Sequence, residues 1–387
     1  MSTCVTGVAQ TKTLAHSGKK PVTITMLKTK TTQQATTTKT TAKPGQSATK
    51  GKQDVTKSSI KNGKAVSKKG QTTVNNGQNS AKNGQTPTKQ TTQAAPTAAQ
   101  TTVLTCGYTC NPPLPYMPQK LDVLFIGNSF SIDTSTALPE IFKSLGIKNV
   151  NVYVLYKGGC SMKQHYEYYK SGEPVYELYK YSIEGEQKLE ETTTIGETLA
   201  RIPYDVVVFQ QYSLESGDHT TYEPYIGKLI QAYNLVKLSP RTTFAFNETW
   251  AYASNYKSLA KYKTQEDMWK GICQSVKRMK ALTGIDVVIP CGAAVQNARQ
   301  VDSLNLDNEL TRDGFHINLY SGRYLLACTF FESIIAPCMG SDLRKDATVY
   351  GTETDIAPVT DSNRTLLQNC ARLAVANNYG ISEFAGQ

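Results

Sequence analysis

Residues 116–387 predict an α/β fold with a mostly parallel, five-stranded sheet, on three observations. Short apolar runs alternate with amphipathic stretches of helix length, the alternation repeats five times, and each apolar run stops at glycine or polar residues before its helix begins. The first run, LDVLFIG (residues 121–127), is followed by a helix pattern around TALPEIFKSLG. VNVYVLYKGG (150–159) precedes SMKQHYEYYKSG, YDVVVFQQYS (204–213) precedes YEPYIGKLIQAYNLVKL, and RTTFAFNETWAY (241–252) precedes EDMWKGICQSVKRMKALTG. The fifth, IDVVIPCG (285–292), leads into a long stretch holding LTRDGFHINLYSGRYLLACTFFESII. A last helix, TLLQNCARLAVANNYG, is expected to pack back on the domain with Gly380 as its C-cap. Right-handed crossovers put the C-terminal ends of parallel strands on one edge, where open α/β sheets bind ligands. Attention therefore falls on Gly127-Asn128-Ser129, Gly158-Gly159-Cys160, Gln210-Gln211 and Asn247-Glu248.

Residues 1–115 read differently. They are dominated by Thr, Lys, Gln, Ala, Gly and Asn, as in KTKTTQQATTTKTTAKPGQSATKGKQ, with one aromatic residue, Tyr108. Such a composition buries too little apolar surface to offset chain entropy, and a disordered tail is expected. This tail holds 16 of the 42 Lys and Arg residues and one acid, Asp54, so it carries +15. The remainder keeps 26 bases against 30 acids, a net of −4, so the pI near 9.0 describes the tail and not an active site. Lysines spaced among threonines suit either contact with a polyanion or a larger assembly, or a solvated leash. The N-terminus has no apolar h-region, and no window approaches the ~18 apolar residues of a membrane span. The expectation is a protein without a membrane span, not exported by the classical route, and cytoplasmic or carried on a particle such as a virion.

Nine cysteines without regular spacing argue against a disulfide framework. Cys106 and Cys110, in CGYTC, read either as a redox or metal half-site or as two thiols at the end of a linker. Cys160 with His165 could be read as a thiol and its base, although five residues along a helix do not share a face, and a buried small residue is the plainer reading. Asn247-Glu-Thr and Asn363-Arg-Thr match glycosylation sequons, which without an export signal read as chance. Trp250 and the tyrosines of HYEYYKSGEPVYELYKY suit either stacking on sugar rings or packing. No HExxH, P-loop or carboxylate cluster is present, so no cofactor or metal is expected.

Serine chemistry needs a base for its proton, an orienting group for the base, and donors for the oxyanion. Of four histidines, His16 lies in the tail, His165 among tyrosines and His219 in a polar loop. His316 sits in TRDGFHIN, three residues after Asp313, a spacing that lets the carboxylate reach Nδ1 while Nε2 points to the cleft. Ser129 ends the first strand, where it reads as a nucleophile or, more commonly for a serine in that place, as a helix N-cap. The G-x-S-x-G elbow of α/β-hydrolases is absent, since Ser131 stands at the fifth position.

Taken together, GNSFS, GGCSMKQH, VVVFQQYS and DGFHINLYSGRYL resemble the successive blocks of the SGNH/GDSL hydrolases, in particular a bacterial branch of uncharacterised SGNH-type proteins. VIPCGAAVQNAR and ARLAVANNYG are similar to that branch as well, so the likeness runs from Leu121 to Tyr379. It implies a three-layer α/β/α sandwich of flavodoxin-like type, with Ser129 as nucleophile and Asp313 and His316 completing a triad. It also implies that the N–H groups of Ser129 and Gly159 hold the oxyanion. The G-x-N-D of the third block is missing, and FQQYS stands there. A glutamine amide would replace the asparagine, and strand alternation lets only one of the pair face the cleft; Gln211 is expected over Gln210. The function so implied is ester hydrolysis without a cofactor, of acetyl groups on a small-molecule or glycan substrate. The competing expectation is a non-catalytic glycan-binding or virion-type structural protein that displays such a domain on a basic leash.

Overall fold

The computed structural model describes residues 8–14, 22–28 and 113–377, and the chain divides into two units, residues 1–96 and 97–387. In the first unit two strands, Val8–Leu14 and Val22–Lys28, pair antiparallel. The rest of the expected tail up to residue 112 lies outside the described residues, as do His16, Cys106 and Cys110. The second unit is described from residue 113: Leu114 is fully buried, and Tyr116 donates its hydroxyl proton to Asp205 at 3.0 Å.

Seven strands form one sheet. In chain order they are β1 (Leu121–Gly127), β2 (Val150–Tyr156), β3 (Tyr176–Ser182), β4 (Gly185–Thr193), β5 (Val206–Phe209), β6 (Thr243–Asn247) and β7 (Val287–Ile289). Their spatial order is β4-β3-β2-β1-β5-β6-β7. The five expected strands are all present and all parallel, and they take the doubly wound order 2-1-3-4-5 among themselves. Every residue of β1 is buried, which requires cover on both faces of the sheet.

The helices that supply the cover are α1 (Ser129–Ser135), α2 (Leu138–Leu145), α3 (Met162–Ser171), α4 (Ile195–Leu199), α5 (Tyr225–Val236), α6 (Gln265–Thr283), α7 (Cys291–Arg299), α8 (Ser321–Phe330) and α9 (Asp361–Ala376). They fall into groups that contact one another: α1, α7, α8 and α9 on the one hand, α3, α4 and α5 on the other. Local chemistry sets their ends. Ser161 and Gln164 close a capping box at the start of α3, Thr264 caps α6, and Gly172 and Gly284 end these two helices with φ of 66° and 68°. No helix among the described residues is long and apolar enough to cross a membrane.

Two features depart from the expectation. The sheet has seven strands rather than five, because β3 and β4 form a hairpin that adds antiparallel strands to the edge of β2. Its signal was present after Gly172, but a register shift around Leu178 breaks the alternation that marks a strand, and β4, GEQKLEETT, is charged and polar except for Leu189. Those charges suit an outermost strand, where exposed charge discourages pairing with another sheet. The last helix, which packs on α7 and α8 as expected, ends at Ala376 with Asn377 as its cap, short of Gly380, which is outside the described residues.

Candidate active site

The turn after β1 explains its own sequence. A Cβ on Gly127 would meet Ser131 Oγ at 2.1 Å, so only glycine lets α1 fold back this tightly. Asn128 is the N-cap of α1: its Oδ1 accepts the Phe130 N–H at 3.1 Å, and its Nδ2 donates to Cys160 O at 3.2 Å. Because Asn128 does the capping, Ser129 stands at the first helical position with its hydroxyl free for another partner. That partner is His316, whose Nε2 lies 2.9 Å from Ser129 Oγ.

His316 arrives on the loop between α7 and α8. Its Nδ1 lies 2.6 Å from Asp313 Oδ2, while Asp313 Oδ1 accepts the N–H groups of Phe315 at 3.1 Å and His316 at 2.8 Å. Gly314, at φ 93°, makes this loop possible, and Tyr256 packs where a Cβ would project. Burial works to raise the Asp313 carboxyl, but the hydrogen bonds from His316 and the loop amides outweigh it and hold the group below its ordinary range. A proton on Nδ1, facing that carboxylate, leaves Nε2 to accept from the serine hydroxyl. The loop is braced from below: Trp250 Nε1 donates to Phe315 O at 2.7 Å, and the Trp250 ring stacks on Phe130 at 3.9 Å between centroids. Trp250 is fully buried, so of its two readings packing is the one it follows.

The four strand ends marked in the sequence meet here. Gln210 binds three of them together, and Asn128 reaches the fourth at Cys160: Gln210 Nε2 donates to Asn128 Oδ1 at 2.6 Å, and its Oε1 accepts from Ser131 Oγ at 2.7 Å and Asn247 Nδ2 at 3.2 Å. Glu248 is fully buried beside this network, where loss of solvent pushes its carboxyl well above the usual range, and its Oε1 accepts the Ala293 N–H at 3.2 Å. The sequon residue Asn247 is likewise buried and bonded, and Asn363 closes the capping box of α9.

A cavity of about 330 Å³ opens over the serine, bounded by Gly158, Gly159, Tyr156, Tyr212, Phe315 and His316. Gly159, at φ 61°, presents its backbone to this space, and among the described residues neither its N–H nor that of Ser129 has an acceptor. Gln211 does not join them. Its Nε2 donates to both O and Oγ1 of Thr221 at 3.0 Å, and its Oε1 accepts the Met162 and Tyr212 N–H groups. The expectation that its amide would face the oxyanion is corrected by this: a fully buried side chain with both ends bonded elsewhere has no donor left for the cavity. Cys160 is buried, which pushes its thiol up to about 12, and His165 is turned toward the Tyr176 hydroxyl at 2.9 Å and lowered to about 3 by burial. The two do not form a nucleophile and base. His219 is exposed on a short turn. Among the described residues no group of three or more His, Cys, Asp and Glu is placed to hold a metal.

One cluster escaped the sequence reading. Asp133, one turn beyond Ser129 on α1, is buried and paired with two arginines. Arg312 Nη1 approaches both carboxylate oxygens at 3.1 and 3.2 Å, and Arg323 of α8 lies 2.8 Å from Oδ1. Burial pushes the Asp133 carboxyl up, against the pull of Arg323 and Arg312. Arg312 immediately precedes Asp313, so this ion pair ties the helix carrying the serine to the loop carrying the histidine. A lone acid in the small and apolar stretch SFSIDTSTAL was the available signal.

A family model described as a domain of unknown function, DUF4886, matches residues 122–362, more than half of the chain. No curated protein matches the chain. Solved structures similar to it include a DUF4886 family protein from Bacteroides uniformis, 28% identical, with a TM-score of 0.61, covering 68% of this chain and 98% of that one. A candidate SGNH hydrolase from Slackia heliotrinireducens is 20% identical with a TM-score of 0.40, covering 55% of this chain and 98% of its own. The acetylxylan esterase Axe2 from Geobacillus stearothermophilus is 11% identical with a TM-score of 0.39, covering 59% and 97%. At these scores the last two do not bear on the chemistry.

Proposed function

The chain belongs to the DUF4886 family, and from that premise and the geometry around Ser129 we propose that it is a serine esterase. The observation that carries the reading is the chain of contacts from Ser129 Oγ to His316 Nε2, 2.9 Å, and from His316 Nδ1 to Asp313, 2.6 Å. Ser129 Oγ attacks the ester carbonyl as Nε2 takes its proton, and Asp313 holds the imidazole and balances the charge it acquires. The oxyanion meets the N–H groups of Ser129 and Gly159. Nε2 then returns the proton to the leaving alcohol, and water, activated by the same nitrogen, hydrolyses the acyl-enzyme.

The acyl group we assign is short, acetyl by the resemblance of the sequence blocks, and its bearer a carbohydrate. A cavity of about 330 Å³ walled by Tyr156, Tyr212 and Phe315 suits a small acyl group and one ring beside it. The test is p-nitrophenyl acetate hydrolysis by the full chain, wild type beside Ser129→Ala, with circular dichroism on both. Activity that disappears with the hydroxyl while the fold persists supports the esterase. Equal rates in the two proteins, or no turnover and no labelling of Ser129 by a serine-directed phosphonate, would sink it and favour a binding protein.

A further inference from the structure

Beyond the cavity that holds His316 and Gly159, Ser129 borders a second one, of about 200 Å³. The walls of this second cavity include Tyr179 and Tyr181 of the β3–β4 hairpin, together with Arg312 and Arg323. Its charge is not closed by the protein. Two guanidiniums share the single buried carboxylate of Asp133, and the only other acid lining the space, Glu186, is exposed at the rim and forms no ion pair with either arginine.

The donors are unevenly used as well. Arg323 directs Nε and Nη2 at Asp133 Oδ1, at 2.9 and 2.8 Å, and also bears on the Tyr350 hydroxyl. Arg312 meets Asp133 and the carbonyl of Ile317 through Nη1 alone. Its Nε and Nη2 have no acceptor among the described residues. Those two N–H groups form one edge of the guanidinium fork, the edge whose spacing matches the two oxygens of a carboxylate. The buried Tyr181 hydroxyl, although near enough to Thr136 for that side chain to bear on its titration, makes no hydrogen bond among the described residues.

We propose that Arg312, backed by Arg323, is a carboxylate-binding subsite beside Ser129, so that the ester taken there belongs to a molecule that also carries a carboxylate. The second half of this statement rests on the esterase reading; the binding of a carboxylate does not. The carboxylate has two sources, the alcohol portion, as in an acetylated acidic sugar, or the acyl portion, as in a half-ester of a dicarboxylic acid. In either case Arg312 would pair with it while Arg323 holds Asp133, and the carboxylate lies within one cavity's width of the scissile bond.

The experiment uses the full chain and two matched pairs of esters: 4-acetoxybenzoate against its methyl ester, and the mono-p-nitrophenyl ester of glutaric acid against p-nitrophenyl valerate. The quantity read is the ratio of kcat/KM within each pair, corrected for uncatalysed hydrolysis, in wild type, Arg312→Gln and Asp133→Asn. Because any loosening of the Asp313–His316 loop lowers both members of a pair, the ratio isolates recognition of the charge. One pair should favour its anionic member by about tenfold relative to the same ratio in Arg312→Gln, and which pair does so identifies the source of the carboxylate. Asp133→Asn, which leaves both guanidiniums without their anionic partner, should move the ratio the other way, a result a merely structural role for Arg312 would not give. Calorimetric titration of 4-hydroxybenzoate and of glutarate into Ser129→Ala, with and without Arg312→Gln, reads the subsite without turnover, with 4-hydroxybenzamide as the neutral control. Equal ratios in all three proteins overturn the proposal and leave the esterase standing. If no ester is hydrolysed, carboxylate binding that is lost with Arg312→Gln upholds the subsite while the esterase reading fails, and the absence of such binding overturns the subsite too.

Discussion

The ends of β1 and β5 lie side by side in the sheet, and both stop in polar residues, yet they do opposite things with them. At β1 the structural work is taken by Asn128, which caps α1 and reaches Cys160, and Ser129 is left to face His316 across 2.9 Å. At β5 the polar residues are themselves the structure: Gln210 joins Asn128, Ser131 and Asn247, and Gln211 joins Met162 and Thr221. A polar residue at a strand end is available for chemistry when a neighbour satisfies the backbone in its place. Position at the edge is not enough.

The contrast breaks most sharply at Ser129. Its replacement by alanine should lower kcat/KM for p-nitrophenyl acetate by about 10⁴-fold or more. It should also leave stability within about 0.5 kcal/mol, since the hydroxyl caps nothing. A large loss of stability in urea titration would mean that the serine is structural after all. Gln210→Ala should do the reverse on stability, costing about 3 kcal/mol, because three buried partners lose a bond at once. Its effect on activity should follow from disorder of the Asn128 turn and be recovered in part by Gln210→Glu at low pH, where the protonated acid can again donate to Asn128.

Gln211→Ala sharpens the comparison within β5. It should cost about 1–3 kcal/mol of stability through Thr221 and Met162. Any loss of kcat/KM should stay far below the roughly 10²–10³ that removal of an oxyanion donor produces. A loss of that size with the fold intact would return Gln211 to the oxyanion. The smallest expected effect compares two carboxylates, Asp313 at the site and Glu332 in the turn that follows α8. Asp313 is held below its ordinary range, so its contribution is present above the unfolded value and is lost as pH falls through the folded one. Glu332 is pushed up to about 7 by burial, so its contribution is present below the unfolded value near 4.5 and is lost as pH rises toward 7. Glu332→Gln should therefore stabilise the protein at pH 8, by on the order of 2 kcal/mol, and give no gain near pH 4.5. Urea titrations at the two pH values check the sign.

Much of the parallel core was legible because buried strands and amphipathic helices write their periods into the sequence, and Ser129, Asp313 and His316 stood out because few residue types can do their work. What stayed hidden depended on partners distant in the chain. Strand alternation separates the two faces of Gln210 and Gln211, but it carries no information about Thr221, whose turn holds the Gln211 amide. Asp133 and Arg312 are 179 residues apart, and only the fold brings them within 3.2 Å. The β3–β4 hairpin was lost to the register shift at Leu178 and to a tyrosine-rich run whose helical half, ending at Gly172, masks its extended half.

That hairpin has a consequence for how such a protein can change. It supplies Tyr179, Tyr181 and Glu186 to the space beside Ser129, while its outer strand pairs with no further strand among the described residues. Its turn and outer strand can be lengthened, shortened or exchanged without altering the pairing of any parallel strand or moving the serine and histidine. Diversification of the molecules accepted and preservation of the reaction are thus assigned to separable parts of the chain. A library built on residues 183–193 would vary the first while leaving the second alone.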